Sequence, residues 1–170
     1  VGRYFTDDKS KIKVAYKKAL TEYRNYRAQI KEGFLPSDNF GKTEIKAEEV
    51  QDKIQDKLTV AVIGHVYNLY DSFINMEMIG KLRSSGVNVI TVDMVNGKTI
   101  NEKASNLRKK MFWNFGTKAV GTAFHILDRK DIDGIIYVMS FACGVDSFVC
   151  DLIERKIRRN SNIPFVILTI

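Results

Sequence analysis

The sequence is poor in the residues that mark disulfide frameworks and metal clusters: it contains two cysteines and two histidines among 170 residues. The cysteines form no Cys-x-x-Cys pair, so a secreted disulfide scaffold is not indicated. Neither a Gly-x-Gly-x-x-Gly turn nor a Gly-Lys-Ser/Thr loop is present, so we expect no nucleotide site in this chain. No apolar run approaches the roughly 20 residues of a membrane span, and no signal-peptide pattern is evident. We therefore expect a cytoplasmic protein that makes no membrane contact.

The remaining composition is that of a folded domain with a moderate positive charge. Hydrophobic residues make up 45% of the chain and aromatic residues 11%, which is enough for a core. The net charge of +7 is spread along the chain, and its densest groups, residues 108–110 and 155–159, fit solvated faces and a helix C-terminus. Because no aromatic-rich or motif context accompanies this charge, we expect no nucleic-acid partner.

From residue 58 onward, short continuous apolar runs alternate with segments whose apolar residues recur every three or four positions. This alternation predicts buried parallel strands joined by helices. Right-handed crossovers favour the sheet order 2-1-3-4. We therefore expect an α/β, three-layer domain with a four-stranded parallel sheet over residues 58–170, preceded by a helical appendage or linker over residues 1–57. The predicted strands lie near residues 58–64, 87–93, 134–139 and 164–169.

The N-terminal segment carries helix signals but no recognisable chemistry. Asp7 or Asp8 is a candidate N-cap for a helix that ends near Gly33, and a short second helix is expected over residues 47–56. Three tyrosines share the first helix: Tyr16, Tyr23 and Tyr26. So many large rings on one helix predict that it packs by its aromatic side or pairs with another copy, and the second alternative would make the protein an oligomer.

Polar and reactive residues gather at the carboxyl ends of predicted strands one and three. The loops His65–Asp71 and Ser140–Ser147 would face each other across one crevice, which is where open α/β sheets bind ligands. Cys143 lies where strand three gives way to a helix, and a helix N-terminus favours anionic species. The candidate substrate contacts or supporting residues are His65, Tyr67, Asn68, Asp71, Ser140, Asp146 and Ser147.

Residue types alone leave several alternatives open. His65 fits a general base or metal ligand about as well as a loop histidine bonded to backbone, and its loop fits a binding loop or a self-bonded turn. Cys143 fits a nucleophile, a cluster ligand or an inert thiol. Nucleophilic catalysis needs an adjacent base, and a cluster needs about four thiolates, which this chain does not supply alone. Cys150 is predicted to be a small core residue, and no catalytic residue is assigned.

Four stretches together resemble one family, the CoA-substrate-specific enzyme activases, which are relatives of the 2-hydroxyacyl-CoA dehydratase subunits. The resemblance covers most of residues 58–170 and little of residues 1–57. The sequence departs from the family pattern at Ala142, where glycine is usual, and at Val145, where proline is usual. The four stretches are Val62–Asp71, Phe112–Gly116, Gly134–Ser147 and Phe165–Ile170.

This resemblance implies a Rossmann-like module in which Cys143 is an iron–sulfur ligand. It also implies an ATPase activase domain, in the same or another chain, that drives one-electron transfer towards an acyl-CoA. We expect the chain to be an excised piece of a larger protein, inactive as an isolated fragment and lacking a complete cluster of its own. The leading hypothesis is an iron–sulfur-supporting, electron-transfer-related module. Its rivals are a non-catalytic regulatory or docking domain for the ATPase partner and, more distantly, a cysteine hydrolase that uses Cys143 and His65.

Overall fold

A computed structural model describes residues 1–33 and 58–170. The chain divides into two compact units, Val1–Phe34 and Leu35–Ile170. The predicted division at residues 57 and 58 stays a prediction, and the predicted helix over residues 47–56 lies outside the described ranges. The helices and strands are α1 (Lys9–Lys31), β1 (Thr59–Gly64), α2 (Val66–Tyr70), α3 (Met78–Ser84), β2 (Asn88–Thr91), α4 (Gly97–Ala104), α5 (Asn114–Leu127), β3 (Gly134–Met139), α6 (Gly144–Asn160) and β4 (Phe165–Thr169).

The first unit contains α1, whose two ends are set by local backbone chemistry. The Asp8 side chain caps the N-terminus by accepting hydrogen bonds from the N–H groups two and three residues on, at 2.8 and 3.2 Å. Gly33 follows the C-terminus with φ +99°, a left-handed conformation that glycine adopts readily. The predicted helix is confirmed. Tyr16 and Tyr23 are 65% and 59% exposed, and their pairing with another copy stays a prediction.

The second unit is built on a sheet of four parallel strands in the order β2-β1-β3-β4, as predicted. β1 lies in the middle, where Val62 pairs with Thr91 of β2 and with Ile136 of β3. β4 pairs with β3 along its whole length. The direction of the chain along the sheet reverses between β1 and β3, which is the position where open α/β sheets bind ligands.

Helices lie on both faces of the sheet because successive strand residues point to opposite sides. Ala61 and Ile63 of β1 belong to the larger core cluster, together with residues of α5 and α6. Val62 and Val138 belong to a second cluster, together with residues of α2 and α3. The predicted three-layer arrangement therefore holds. Among the helices of the two described ranges, none combines the length and apolarity needed to cross a membrane.

The segment between β1 and β2 differs from the prediction of a single helix over about residues 72–86. α2 occupies the predicted loop, and a series of turns separates it from α3. Met76 and Glu77 adopt left-handed φ values of 52° and 56°, which a right-handed helix does not contain. Three residues predicted to face inward are exposed instead: Phe73 by 91%, Ile74 by 40% and Met76 by 68%. Ile79 is buried, as predicted.

β2 is shorter than predicted because a 3₁₀ turn, Val92–Met94, follows directly after Thr91. The predicted strand to residue 93 is therefore wrong in its last two positions. The other three strands begin and end within one residue of the predicted bounds.

The sheet face on the α3 side is only partly covered over β3 and β4. A groove of about 530 Å³ runs between α3 and this face, and it contains none of the predicted site residues. Its apolar lining includes Met78, Leu82, Ile136, Val138, Leu168 and Ile170.

Candidate functional site at the carboxyl edge of the sheet

β1 and β3 approach each other closely at their carboxyl ends, and a glycine permits this contact. Gly64 pairs with Val138, and a Cβ atom at Gly64 would lie 2.7 Å from the Val138 carbonyl oxygen. A larger side chain would push the two backbones apart. The chain therefore leaves β1 directly beside β3, and His65, the N-cap of α2, lies at the shared edge.

The segments that follow β1 and β3 contact each other through polar side chains. Asn68 Nδ2 donates to Ser140 Oγ at 2.8 Å, and the Tyr67 hydroxyl lies 3.2 Å from the same oxygen. His65 Nε2 lies 3.9 Å from Asp146 Oδ2. These five predicted site residues thus meet at the point where the sheet order reverses. Their chemical roles stay predictions.

Asp146, in the first turn of α6, is fully buried and connects three parts of the site. Its Oδ1 accepts a hydrogen bond from the Tyr137 hydroxyl at 2.6 Å, and its Oδ2 accepts one from the Ser140 backbone N–H at 2.7 Å. Burial, and then the hydrogen bond to Asp146, raises the pKa of Tyr137, so its hydroxyl remains a donor. Asp146 lies on α6 and binds both Tyr137 of β3 and Ser140 of the turn that follows. It therefore holds this turn in place between β3 and α6.

The His65 ring stacks with two aromatic rings. The ring centroids lie 3.6 Å apart for His65 and Phe115 of α5, and 5.1 Å apart for His65 and Tyr67. His65 Nε2 is buried and has no hydrogen-bond partner within the described part of the chain, because Asp146 at 3.9 Å is beyond hydrogen-bond length. Such unpaired buried nitrogens are uncommon. The predicted role of His65 as a general base or metal ligand stays a prediction.

Cys143 is the N-cap residue of α6, and it is partly exposed. The chain reaches it through Ala142, whose φ of +59° lies in the left-handed region that glycine favours. This is the position where the family pattern noted above has glycine. The Cys143 carbonyl accepts hydrogen bonds from the Ser147 backbone N–H and hydroxyl, both at 3.0 Å. The thiol therefore lies at the edge of the sheet, where the sequence predicted it.

Cys150 occupies a different environment, about two turns into the same helix. It is 2% exposed and packs in the larger core cluster. Burial, and then the charge of Glu154, raises the pKa of its thiol to about 12. Near neutral pH this thiol is both enclosed and protonated, so it is neither a nucleophile nor a ready metal ligand. The prediction that Cys150 is a small core residue is confirmed.

The two thiols differ enough for a direct labelling test. At pH 8, iodoacetamide is expected to label Cys143 at least roughly tenfold faster than Cys150, because only Cys143 is accessible and the raised pKa keeps Cys150 protonated. Peptide mapping by mass spectrometry at successive times gives both rates in one sample. The same protein in denaturant serves as the control, since both thiols should then react at similar rates. Faster labelling of Cys150 in the folded protein would remove Cys143 from the candidate site.

Two further predicted site residues, Asp71 and Ser147, form hydrogen bonds with backbone groups close to them in the chain. Asp71 accepts hydrogen bonds from the backbone N–H groups of Phe73 and Ile74, at 3.0 and 3.1 Å, which stabilises the turn after α2. Ser147 is exposed, and its hydroxyl donates to the Cys143 carbonyl. These hydrogen bonds give the Asp71 and Ser147 side chains a structural role. Their contact with a substrate stays a prediction.

The described residues do not fit a complete iron–sulfur site. Within residues 1–33 and 58–170, no three or more His, Cys, Asp and Glu residues come together in a group able to hold a metal ion. An iron–sulfur cluster usually needs about four ligands. The role of Cys143 as an iron–sulfur ligand stays a prediction.

Sequence reasoning assigned no site role to two residues that shape the crevice, Phe115 and Tyr137. Phe115 lies in one of the stretches that carry the resemblance, but its stacking on His65 depends on how α5 approaches the sheet. The role of Tyr137 could have been predicted from the sequence. It places a hydroxyl in the apolar run of β3, and a buried tyrosine hydroxyl normally has a hydrogen-bond partner.

Comparison with known proteins identifies a family for the chain. The sequence profile of a family described as the CoA enzyme activase uncharacterised domain matches residues 1–95, more than half of the chain. The match includes α1, β1, β2 and the loop that carries His65, and it ends before Cys143. It therefore extends into the N-terminal segment, which the motif resemblance barely covered. No curated protein and no solved structure matches the chain.

Proposed function

Because the chain belongs to the family of the CoA enzyme activase uncharacterised domain, we propose that it supports an iron–sulfur centre used in electron transfer towards an acyl-CoA. The observation that carries this proposal is the position of Cys143. It is a partly exposed thiol at the N-terminus of a 17-residue helix, beside the crevice where sheets of this topology bind ligands. An accessible thiol of this kind suits a reducing compartment such as the cytoplasm.

The residues around Cys143 would position it and line the crevice. Asp146 holds the turn between β3 and α6 through its bonds to Tyr137 and Ser140, so the backbone that carries the thiol is fixed. His65 lies across the crevice with a buried nitrogen facing Asp146. A bound iron–sulfur centre would supply the capacity to accept and donate single electrons. Its remaining ligands would come from the ATPase partner domain or from elsewhere in the intact protein.

The same edge offers a surface for that partner. Three aromatic side chains, in α2, in the turn after β3 and in α6, are exposed: Tyr67 by 52%, Phe141 by 81% and Phe148 by 54%. Exposed aromatic residues around a polar crevice are typical of protein interfaces. This observation also favours a second candidate function, in which the domain docks onto the ATPase partner and holds no iron.

Iron and acid-labile sulfide analysis of the intact protein, purified without oxygen, separates the two candidates. Replacing Cys143 by Ala is expected to lower the bound iron severalfold, because a cluster that loses one of about four ligands is held weakly. Cys150→Ala is the matched control: it lies on the same helix and should leave the iron content unchanged.

Two outcomes would contradict the iron–sulfur proposal. In one, the intact protein binds no iron but still binds the ATPase partner, which supports the docking function. In the other, Cys143→Ala retains the iron of the unmodified protein, which places the ligands elsewhere.

A further inference from the structure

Helix α1 carries a positive charge that the rest of the chain does not offset. Its 23 residues include eight basic residues and one acidic residue, Glu22, which gives a net charge of +7. The whole chain also has a net charge of +7, so its other residues sum to zero. Residues 34–57 contain six acidic and four basic residues, too small an excess to neutralise the helix wherever they lie. The charge is therefore less evenly spread than expected, and α1 carries its largest excess.

Most of the cations of α1 lie on one side of the helix. At 3.6 residues per turn, five exposed basic residues fall within an arc of about 80° that runs the whole length of the helix, about 33 Å. Glu22 lies on the opposite side, together with Lys11 and Lys18. The five residues, here named the cationic stripe, are Lys9, Lys13, Lys17, Arg24 and Lys31.

The stripe is unfavourable for the helix that carries it. Lys13 lies four residues from both Lys9 and Lys17, and like charges at this spacing destabilise a helix. The first turn contains two lysines and no acidic residue, although negative charge is favoured at that end of a helix. A partner that supplies negative charge would remove both costs. The arrangement therefore suits binding better than it suits the stability of the helix alone.

A row of apolar residues borders the stripe and indicates the kind of partner. Tyr16 and Tyr23 are 65% and 59% exposed. A nucleic-acid backbone requires no such row, and helices that lie on lipid carry Trp, Phe or Leu in its place. The residues of the row recur at spacings of four, three and four, the heptad pattern by which one helix packs on another: Ile12, Tyr16, Ala19 and Tyr23.

We propose that the cationic stripe of α1 binds the acidic face of a helix in a partner protein. Glu or Asp side chains at the same three- and four-residue spacing pair with the stripe, while apolar residues of the partner helix pack on Tyr16 and Tyr23. A second copy of α1 does not fit this role, because it brings the same cations to the contact. The proposal is independent of the iron–sulfur centre.

A synthetic acidic helix tests this binding. The probe is a fluorescent peptide with leucine at the a and d positions of each heptad and glutamate at e and g, and its binding to the full 170-residue chain is followed by fluorescence anisotropy. The affinity is expected to fall at least roughly tenfold between about 0.1 and 1 M salt, because the Debye length shortens from about 10 to 3 Å. The same peptide with lysine at e and g should not bind.

The two sides of α1 provide matched variants. Lys13→Glu with Lys17→Glu reverses two charges of the stripe and should weaken binding of the acidic peptide at least roughly tenfold. Lys11→Glu with Lys18→Glu changes the net charge by the same amount on the opposite side and should weaken it less than about twofold. Circular dichroism monitors the helix in both variants. Lys13→Gln with Lys17→Gln removes the charges without adding new repulsion and should weaken binding in the same direction.

Three outcomes would overturn the proposal. Equal losses of affinity in the two charge-reversal variants would show that binding follows total charge and not the stripe. Tighter binding of a single-stranded RNA, or of phosphatidylserine vesicles, than of the acidic peptide would assign the stripe to another class of partner. Absence of peptide binding at low salt would leave the stripe without the proposed function.

Discussion

Replacing Asp146 by Ala is expected to lower the free energy of unfolding by about 3 kcal/mol. The substitution leaves the Tyr137 hydroxyl and the Ser140 N–H without the acceptor they share. Tyr137 is fully buried, so its hydroxyl gains no water in exchange. Each unsatisfied buried donor costs about 1–3 kcal/mol. Chemical denaturation followed by circular dichroism measures this loss.

Asp151→Ala is the matched control for this experiment. It makes the same substitution on the same helix, but the Asp151 side chain is 55% exposed and pairs with Arg155 one turn on, at 2.9 Å. Exposed pairs of this kind contribute about 0.3–0.5 kcal/mol. If the two variants lost equal stability, the conclusion that the Asp146 hydrogen bonds hold the turn between β3 and α6 in place would be wrong.

Replacing Gly121 by Ala is expected to destabilise the protein by a similar amount, about 3 kcal/mol, through the contact between α4 and α5. A Cβ atom at Gly121 would lie 2.2 Å from the Ile100 carbonyl oxygen and 2.8 Å from the Ile100 Cγ2. Because the nearest atom belongs to the backbone, a side-chain rotation cannot relieve the clash and α4 must move. For a chain of this size the midpoint of thermal unfolding should fall by roughly 6–12 °C.

The chain provides an internal comparison at Gly80, which lies within α3 and has no atom within 4 Å of an added Cβ. Gly80→Ala should stabilise the protein by up to about 1 kcal/mol, because alanine loses less conformational freedom than glycine in a helix. Opposite signs for the same substitution in two helices separate helix propensity from steric contact. A stabilising Gly121→Ala would mean that α4 and α5 are farther apart than described.

The sheet was predictable because its parallel strands are short continuous apolar runs separated by segments with helical spacing, a pattern that holds even for β4, which is largely exposed. The helix predicted after β1 was wrong for an equally specific reason. Phe73, Ile74 and Met76 follow a helical spacing, but Met76 and Glu77 take left-handed backbone conformations. Neither residue is glycine or asparagine, the types that commonly adopt this conformation. The residue types therefore did not indicate a break in the helix.

The candidate site was predictable to the extent that topology determines it. The order 2-1-3-4 places the ends of β1 and β3 side by side. The proximity of the segments that carry His65 and Asp146 could therefore be predicted from the strand order. The contacts that shape the crevice depend on side-chain direction and helix placement instead. The bond from Tyr137 to Asp146 and the stacking of Phe115 on His65 are of this kind.

The position of β1 in the middle of the sheet has a consequence for how the chain is made. The Thr59 N–H bonds to the Asp133 carboxyl, 74 positions along the chain, at the start of the β1–β3 pairing. At about 5–20 residues per second, the ribosome completes this intervening segment only roughly 4–15 s after β1 is synthesised. β1 and β2 pair across a shorter connection that contains α2 and α3, so they can meet before β3 has been made. During synthesis the future centre of the sheet is therefore an apolar strand with one unpaired edge, and such edges make a nascent chain prone to aggregation until they are paired.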